Sequence, residues 1–371
     1  MRLAKTGAGD VPPINVVVVG AGYAGLRAAL GLARDSRVVV TLIDRERRPV
    51  VKTKLHELRE SASTLAVDRL LDRTNVRFIE GEVTAIDLER QDVQVGTQRV
   101  AYDRLVVALG SRTSDFGIPG VREHAIMLDG AADADQLSRA IGRLGQTGGR
   151  LVVVGGGPTG VEAAAEASQR LRRGRVTLID AEDRVLRSFS TAPRTYARAA
   201  LWWRGVRVET GAQVVCVEPN SVRLRTGESL PYDSLLWSAG VEAYPILSAS
   251  SLAPPHGRAP VDRFLVSKAN PHVYVVGDSA AIDDGAPSAQ LAVQQGDFAA
   301  RDILTRLDGR QRSPYEPSIL GQFVSLGCDA TGALKVGAAE IPLFGPPARL
   351  AKAAGELRHR AVVAARALAS S

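Results

Sequence analysis

The strongest constraint on this 371-residue chain is that it contains one pattern twice. In the first copy an apolar run over residues 14–19 leads into Gly20-Ala21-Gly22-Tyr23-Ala24-Gly25. A helical stretch over 26–34 follows, then a second apolar run that ends at Asp44. In the second copy the run 151–154 leads into Gly155-Gly156-Gly157-Pro158-Thr159-Gly160. A helical stretch over 161–172 and a strand over 176–179 then end at Asp180. Further along each copy, Tyr-Asp opens another apolar run that stops at a glycine eight positions past the tyrosine, Tyr102 to Gly110 and Tyr232 to Gly240. Two buried strands with helix caps would explain either copy alone, but not their agreement. An offset this long marks a duplicated domain and not a stack of short repeats.

Gly-x-Gly-x-x-Gly is a weak signal by itself. Between an apolar strand and a helix, with an acid closing the next strand, it becomes a dinucleotide-binding fingerprint. Gly20 permits the tight turn, Gly22 lets a pyrophosphate approach the backbone, and Gly25 lets the helix pack close to the strand. The N–H groups at the helix N-terminus then meet the phosphate charge. Asp44, 19 residues beyond Gly25, is placed to accept hydrogen bonds from ribose hydroxyls. Gly155, Gly157, Gly160 and Asp180 repeat the argument. A carboxylate at Asp180 favours the 2′-hydroxyl of NADH over the 2′-phosphate of NADPH. Arg184 offsets this only if it swings toward the phosphate; otherwise it is a solvated surface charge.

Two modules imply two dinucleotides, most economically FAD plus a nicotinamide. A third element supports FAD: a strand over 272–276 running into Gly277-Asp278, with a helix over 288–301 behind it. Asp278, at the end of a buried strand, needs a polar partner; a ribityl hydroxyl or a role as helix N-cap would each satisfy it. The expected fold class is α/β, with two Rossmann-like dinucleotide-binding domains and a small C-terminal region. The FAD domain is expected in two parts, 14–115 and 246–310, around an NAD(P)H domain at 116–245, with the C-terminal region at 311–371.

Composition removes several classes. The two cysteines, Cys216 and Cys328, make neither a disulfide framework nor a Cys-x-x-Cys pair, and the five histidines show no metal-ligand spacing, so no metal site is expected. Cys216, in an apolar strand, reads as a small buried hydrophobe, and Cys328, in a polar stretch, as exposed. No apolar run approaches the roughly 18 residues of a membrane span, and no secretory signal is visible. The expected place is the cytoplasm, on the inner face of the cell membrane if attached to one.

The net charge is +7, and the last 31 residues hold five basic residues (Arg349, Lys352, Arg358, Arg360, Arg366) against one acid (Glu356), hence +4. Leu350, Ala354, Leu357, Ala361, Ala364 and Leu368 recur there at helical spacing, with the basic residues off the stripe. Residues 348–368 therefore read as a basic amphipathic helix, for an anionic membrane surface, its own domain or the second subunit of a homodimer. No nucleic acid is expected, since no stacking aromatics interleave with the charge. Trp202 and Trp203 are adjacent, and at least one is expected in the core.

In order, residues 16–25, 102–110, 152–162, 235–240 and 273–278 resemble the two-dinucleotide-binding-domain flavoproteins, the pyridine nucleotide–disulfide reductase superfamily. Gly155 to Glu162 (Gly-Gly-Gly-Pro-Thr-Gly-Val-Glu), Leu236-Trp237-Ser238-Ala239-Gly240-Val241, and Ala289 to Gly296 (Ala-Gln-Leu-Ala-Val-Gln-Gln-Gly) most resemble type II NADH:quinone oxidoreductases and the apoptosis-inducing-factor-like reductases. The resemblance implies FAD on Gly20, Gly22, Gly25, Asp44, Arg45, Gly110 and Asp278. It implies NADH, with NADPH the lesser choice, on Gly157, Pro158, Thr159, Gly160, Glu162, Asp180 and Gly240. It also implies a quinone pocket beside Gln290, Gln294 and Gln295, with Glu162, Gln294 and Gln295 as catalytic candidates. The implied reaction takes a hydride from NADH onto flavin and passes electrons to a quinone, without proton pumping. Glu162 reads either as positioning NADH or relaying a proton, or as plain helix capping. The glutamine amides suit a quinone carbonyl or a helix surface equally by spacing.

Two departures matter. Residues 45–58 lack the Pro-Leu-Leu pattern common in type II enzymes, and the chain has no cysteine before 216 to serve as a redox pair. The rival readings are an NADH-dependent reductase of a small iron–sulfur protein and a non-catalytic flavin redox sensor.

Overall fold

The computed structural model describes residues 12–48, 55, 67–72, 74–171, 175–282 and 288–369. The first copy of the repeat folds as β1 (Ile14–Val19), α1 (Tyr23–Leu32) and β2 (Val38–Asp44). It continues through α2 (Val67–Leu71) and β3 (Val76–Glu80) to a meander of β4 (Val83–Asp87), β5 (Asp92–Val95) and β6 (Gln98–Ala101). Then come β7 (Arg104–Val107) and the short β8 (Ser111–Thr113). After α3 (Val121–His124), β9 (Ile126–Met127) and α4 (Ala131–Thr147), the second copy follows the same plan. It runs β10 (Arg150–Val154), α5 (Pro158–Arg170), β11 (Arg175–Asp180), α6 (Thr191–Trp203) and β12 (Arg207–Thr210). A second meander of β13 (Val214–Glu218), β14 (Ser221–Leu224) and β15 (Ser229–Pro231) leads to β16 (Ser234–Trp237) and β17 (Val241–Ala243). The remainder is α7 (Ile246–Ala249), β18 (Ala259–Pro260), β19 (Val273–Val275), β20 (Ala280–Ala281) and α8 (Ala289–Leu307). An antiparallel sheet of β21 (Gly321–Leu326), β22 (Asp329–Val336) and β23 (Ala339–Phe344), then α9 (Pro346–Ala369), completes it.

The two five-stranded sheets have equivalent strand orders, β19-β7-β1-β2-β3 and β9-β16-β10-β11-β12. Every pairing within them is parallel. Parallel strands covered on both faces must be apolar throughout. Val16 to Val19 of β1 are each at most 1% exposed, and Val16 and Val18 join one core while Val17 and Val19 join another. In β10, Leu151 and Val153 face the α4–α5–α6 core, whereas Val152 and Val154 face the second meander. The fifth strands differ in origin: β19 comes late in the chain and β9 comes before the second copy. The second domain is thus inserted into the first. The crossings between them pair as an antiparallel ribbon, with Val241 opposite Thr113 and Ala243 opposite Ser111.

Two expectations change here, and one left open is narrowed. Both glycine-loop helices start earlier than expected, at Tyr23 and Pro158, because Gly25 and Gly160 lie inside the first turns. A side chain at either would run into the carbonyl of Gly20 or Gly155, so these glycines are helical contact points and not loop residues. Trp202 and Trp203 are both exposed, at 68% and 78%. They sit in the last turn of α6, after its buried positions Pro193, Ala197, Ala200 and Leu201 have met the core. The apolar stripe of α9 faces outward: Leu350 and Leu357 are 72% and 64% exposed, and Ala354, Ala361 and Ala364 are exposed as well. The opposite face packs inward through Ala348 and Val363. Cys216 is half-buried beside a bulge in β13, and Cys328 is exposed.

Candidate dinucleotide-binding and acceptor site

Each glycine loop is built on the same set of bonds. Gly20 and Gly155 have left-handed φ of 102° and 112°, where a side chain would strike Ala108, just after β7, or Ser238–Ala239, just after β16. Asp44 Oδ2 accepts from the Ala21 N–H at 2.5 Å, and its Oδ1 accepts from Glu46 at 2.8 Å. Asp180 does the same with the N–H groups of Gly156 and Glu182, the latter at 2.7 Å. The acid that closes the second strand therefore also braces the loop, standing where a ribose would meet it. Gly22 and Gly157 have open space where a side chain would lie. Behind them α1 and α5 have no capping side chain and no acid in their first turns. Open space over helix N–H groups without a side-chain acceptor fits a diphosphate. The residues present therefore suit the two dinucleotides that the sequence pattern implies. Pro158 and Thr159 are exposed at the second mouth.

The third element of the sequence pattern, ending in Gly277-Asp278, closes against the first module. Asp278 Oδ2 accepts from Ser111 Oγ at 3.0 Å, and Ser279 Oγ donates to the Gly110 carbonyl at 2.9 Å. Asp278 lies in a 3-10 turn, Gly277–Ser279, beside the site, and the N-cap of α8 is Ser288, which accepts from Leu291 at 3.2 Å. Helix α8 lies tightly on α1: a side chain at Gly296 would collide with the Ala24 carbonyl. Arg45 extends beside Tyr244, with its guanidinium 5.7 Å from the ring centroid. Of residues 45–58, where the sequence departs from the type II pattern, 49–54 and 56–58 lie outside the described residues.

The three glutamines are gathered on α8, and their amides hold neighbouring backbone. Gln295, 4% exposed, accepts from the Gly277 N–H at 2.5 Å. Gln294 donates to the Ser318 carbonyl at 2.6 Å and accepts from its N–H at 3.0 Å. Gln290 accepts from Leu320 at 3.0 Å. They thus pin the Gly-Asp turn and the 318–320 segment to one helix, framing the region between them.

Glu162 is the fifth residue of α5 and caps nothing. It is 7% exposed, lies 2.5 Å from Lys352 Nζ of α9, and accepts from the Ser325 N–H of β21 at 2.8 Å. Lys352 also donates to Ser325 Oγ at 2.7 Å. Two residues past the third glycine of the first module stands Arg27, the counterpart of Glu162. Arg27 is 6% exposed and bonds Asp297 of α8 at 2.8 Å, and Asp297 in turn takes Arg366 of α9 at 2.5 Å. Helix α9 also lays His359 against the Tyr23 ring, centroids 4.6 Å apart. Two of the tail's five basic residues are therefore consumed in internal ion pairs, so not all of the tail's charge is available to an outside surface. Arg27 and Asp297 were not among the expected site residues; the signal was the repeat itself, which aligns Arg27 with Glu162.

The ribbon between domains carries a further cluster. Glu242, 7% exposed, meets Arg112 at 2.7 Å, Ser114 at 3.2 Å, His256 at 3.3 Å and Arg122 at 3.4 Å. Burial works to raise its carboxyl, but the Arg112 guanidinium, with His256 and Ser114, outweighs it and holds the pKa below the ordinary glutamate value. Phe116, at φ 53°, lays its ring on Gly240. Arg184 is exposed and paired with Asp183, as a surface charge. Among the described residues no group of three acidic, histidine or cysteine side chains is arranged to hold a metal ion.

Comparison with known proteins agrees with this geometry. The family model described as pyridine nucleotide-disulphide oxidoreductase matches residues 14–296. A demethylphylloquinone reductase, NdbB, of a Synechocystis species is 32% identical, over 91% of this chain and 90% of its own. A type II NADH:quinone oxidoreductase of Staphylococcus aureus is 30% identical, over 84% of this chain and 87% of its own. Among solved structures, NDH2 of Plasmodium falciparum in complex with NADH shares the fold with a TM-score of 0.82. Its identity is 16%, and the match covers 93% of this chain and 94% of that one. The chain belongs to the pyridine nucleotide-disulphide oxidoreductase family.

Proposed function

We propose that this protein is a FAD-dependent NADH:quinone oxidoreductase working at a membrane surface. The observation that carries the reading is the pair of equivalent glycine-loop cradles, each with open space over an uncapped helix N-terminus. The named relatives, a demethylphylloquinone reductase and a type II NADH:quinone oxidoreductase, supply the acceptor class. FAD, when bound, supplies the two-electron chemistry between nicotinamide and acceptor. The first module, 14–115 with 246–310, takes FAD on Gly20, Gly22, Gly25, Asp44, Arg45, Gly110 and Asp278. The second, 116–245, takes NADH on Gly157, Pro158, Thr159, Gly160, Asp180 and Gly240. Asp180 discriminates against a 2′-phosphate by charge.

Cys216 lies in the second meander and Cys328 after β21, so neither belongs to a glycine loop and no thiol pair serves as acceptor. Gln290, Gln294 and Gln295 form the wall of the acceptor pocket by holding the 318–320 segment and the Gly-Asp turn. Glu162, paired with Lys352 and accepting from the Ser325 N–H, is the residue proposed to relay a proton. Residues 348–368 touch the membrane, on its inner face, through the outward Leu350 and Leu357. Among the described residues no helix is long and apolar enough to cross it.

The test is anaerobic. NADH should bleach the yellow protein, and a short-chain quinone should restore the colour far faster than oxygen or a ferredoxin. Restoration by the ferredoxin alone would replace the reading with an iron–sulfur reductase; slow bleaching with a persistent long-wavelength band would replace it with a sensor.

A further inference from the structure

The most exposed large apolar side chains of the second domain are Trp202 and Trp203, at 68% and 78%, with rings in an edge contact 4.9 Å between centroids. They share the outward face of α6 with Thr195, Arg198 and Ala199, all exposed. Nothing in the dinucleotide sites uses them.

Their surroundings are apolar and mostly basic, with Asp329 engaged by the Tyr196 hydroxyl at 2.7 Å. Tyr196 of α6 packs on Phe344 of β23, ring centroids 5.0 Å apart, and Phe344 and Ile341 are 38% and 46% exposed. Arg204, next to Trp203, reaches Cys328 Sγ at 3.7 Å, and Arg349, next to Leu350, donates to the Cys328 carbonyl at 2.8 Å. One residue therefore links the end of α6 to the first turn of α9. Helix α6 and its C-cap carry Arg194, Arg198 and Arg204 and no acid. Arg194, Arg198, Arg204 and Arg349 make no ion pair within 4 Å among the described residues.

We infer that the Trp202–Trp203 pair is an interfacial anchor for an anionic lipid surface, a second contact on the NADH-binding domain beside α9. Indoles favour the headgroup boundary, and flanking arginines add attraction to anionic lipid. A second copy of the chain fits less well: a two-fold contact sets the patch against itself and brings these arginines face to face. The inference rests on the membrane reading of the proposed function but fails separately from it.

The chain supplies its own probe. Its third tryptophan, Trp237, is 1% exposed and serves as an internal reference. The full FAD-loaded protein is mixed with phosphatidylcholine vesicles, with or without phosphatidylglycerol, some carrying brominated acyl chains. The wild type should show a blue shift and bromine quenching on phosphatidylglycerol vesicles only. W202A/W203A should lose both signals and bind at least about tenfold more weakly. L350E/L357E tests the α9 contact alone. If the tryptophan variant binds like wild type and only the leucine variant releases, the inference falls and the α9 reading stands. If neither variant changes binding, both fall. If the shift appears without lipid, rises with protein concentration and tracks a dimer in sedimentation, a second copy is the occupant and the inference is overturned.

Discussion

The two glycine loops keep the same backbone bonds, yet the helices behind them carry opposite charges at one aligned position. Arg27 of α1 meets Asp297 and, through it, Arg366; Glu162 of α5 meets Lys352. The loop bonds serve any dinucleotide, so both copies retain them. The aligned charge serves the neighbour, and each copy has been fitted to a different part of the same helix, α9. Its first turns are tied to the inserted domain and its last turns to the outer one. What distinguishes the modules is less how they hold a dinucleotide than what they are clamped to.

The largest effect should come from unclamping the outer domain. Asp297→Ala leaves the buried Arg27 guanidinium without its carboxylate and facing Arg366, and should cost about 3–5 kcal/mol, read as a fall in melting temperature with flavin release. Glu162→Gln keeps an acceptor for the Ser325 N–H and should cost visibly less. If the two were equal, the asymmetry would be wrong. Next comes cofactor choice. Asp180→Ser should raise the ratio of kcat/KM for NADPH over NADH by about tenfold, on the order of 1.4 kcal/mol. Asp44→Ser should leave that ratio unchanged and loosen FAD. A shift from the Asp44 variant would exchange the roles of the loops.

The smallest effect concerns the ribbon between the modules. Because the folded pKa of Glu242 is lowered, its stabilisation is present above the unfolded glutamate value and is lost as pH falls through the folded one. The melting temperatures of wild type and Glu242→Gln should differ at pH 7 and converge in acid. A constant gap across pH would show that the Arg112 contact is not electrostatic.

Much of the fold was legible because the repeat is local. Tyr102 and Tyr232, and Asp44 and Asp180, sit where spacing put them, and each tyrosine hydroxyl donates to a meander carbonyl, of Asp87 or Glu218. What escaped depends on distance in the chain. Helical period predicted α9 but not which side it buries. That is decided by Glu162, 190 residues away, and Asp297, 69 away, partners that no local pattern announces. Hydrophobicity assigned a tryptophan to the core, whereas α6 outruns the core before reaching it. The glutamine run was legible as part of a helix, but not the backbone its amides would hold.

On the proposed function the first loop takes FAD and the second NADH. Gly22 and Gly157 test it directly, since each has ordinary negative φ, −72° and −70°, and open space beyond. A valine at either should fill the cradle without disturbing the fold. The measurement is bound flavin on purification followed by bleaching with NADH. Gly22→Val should purify colourless, and Gly157→Val should purify yellow with full flavin but resist bleaching. A yellow Gly22→Val protein that still bleaches, or a colourless Gly157→Val, would overturn that assignment of the two loops.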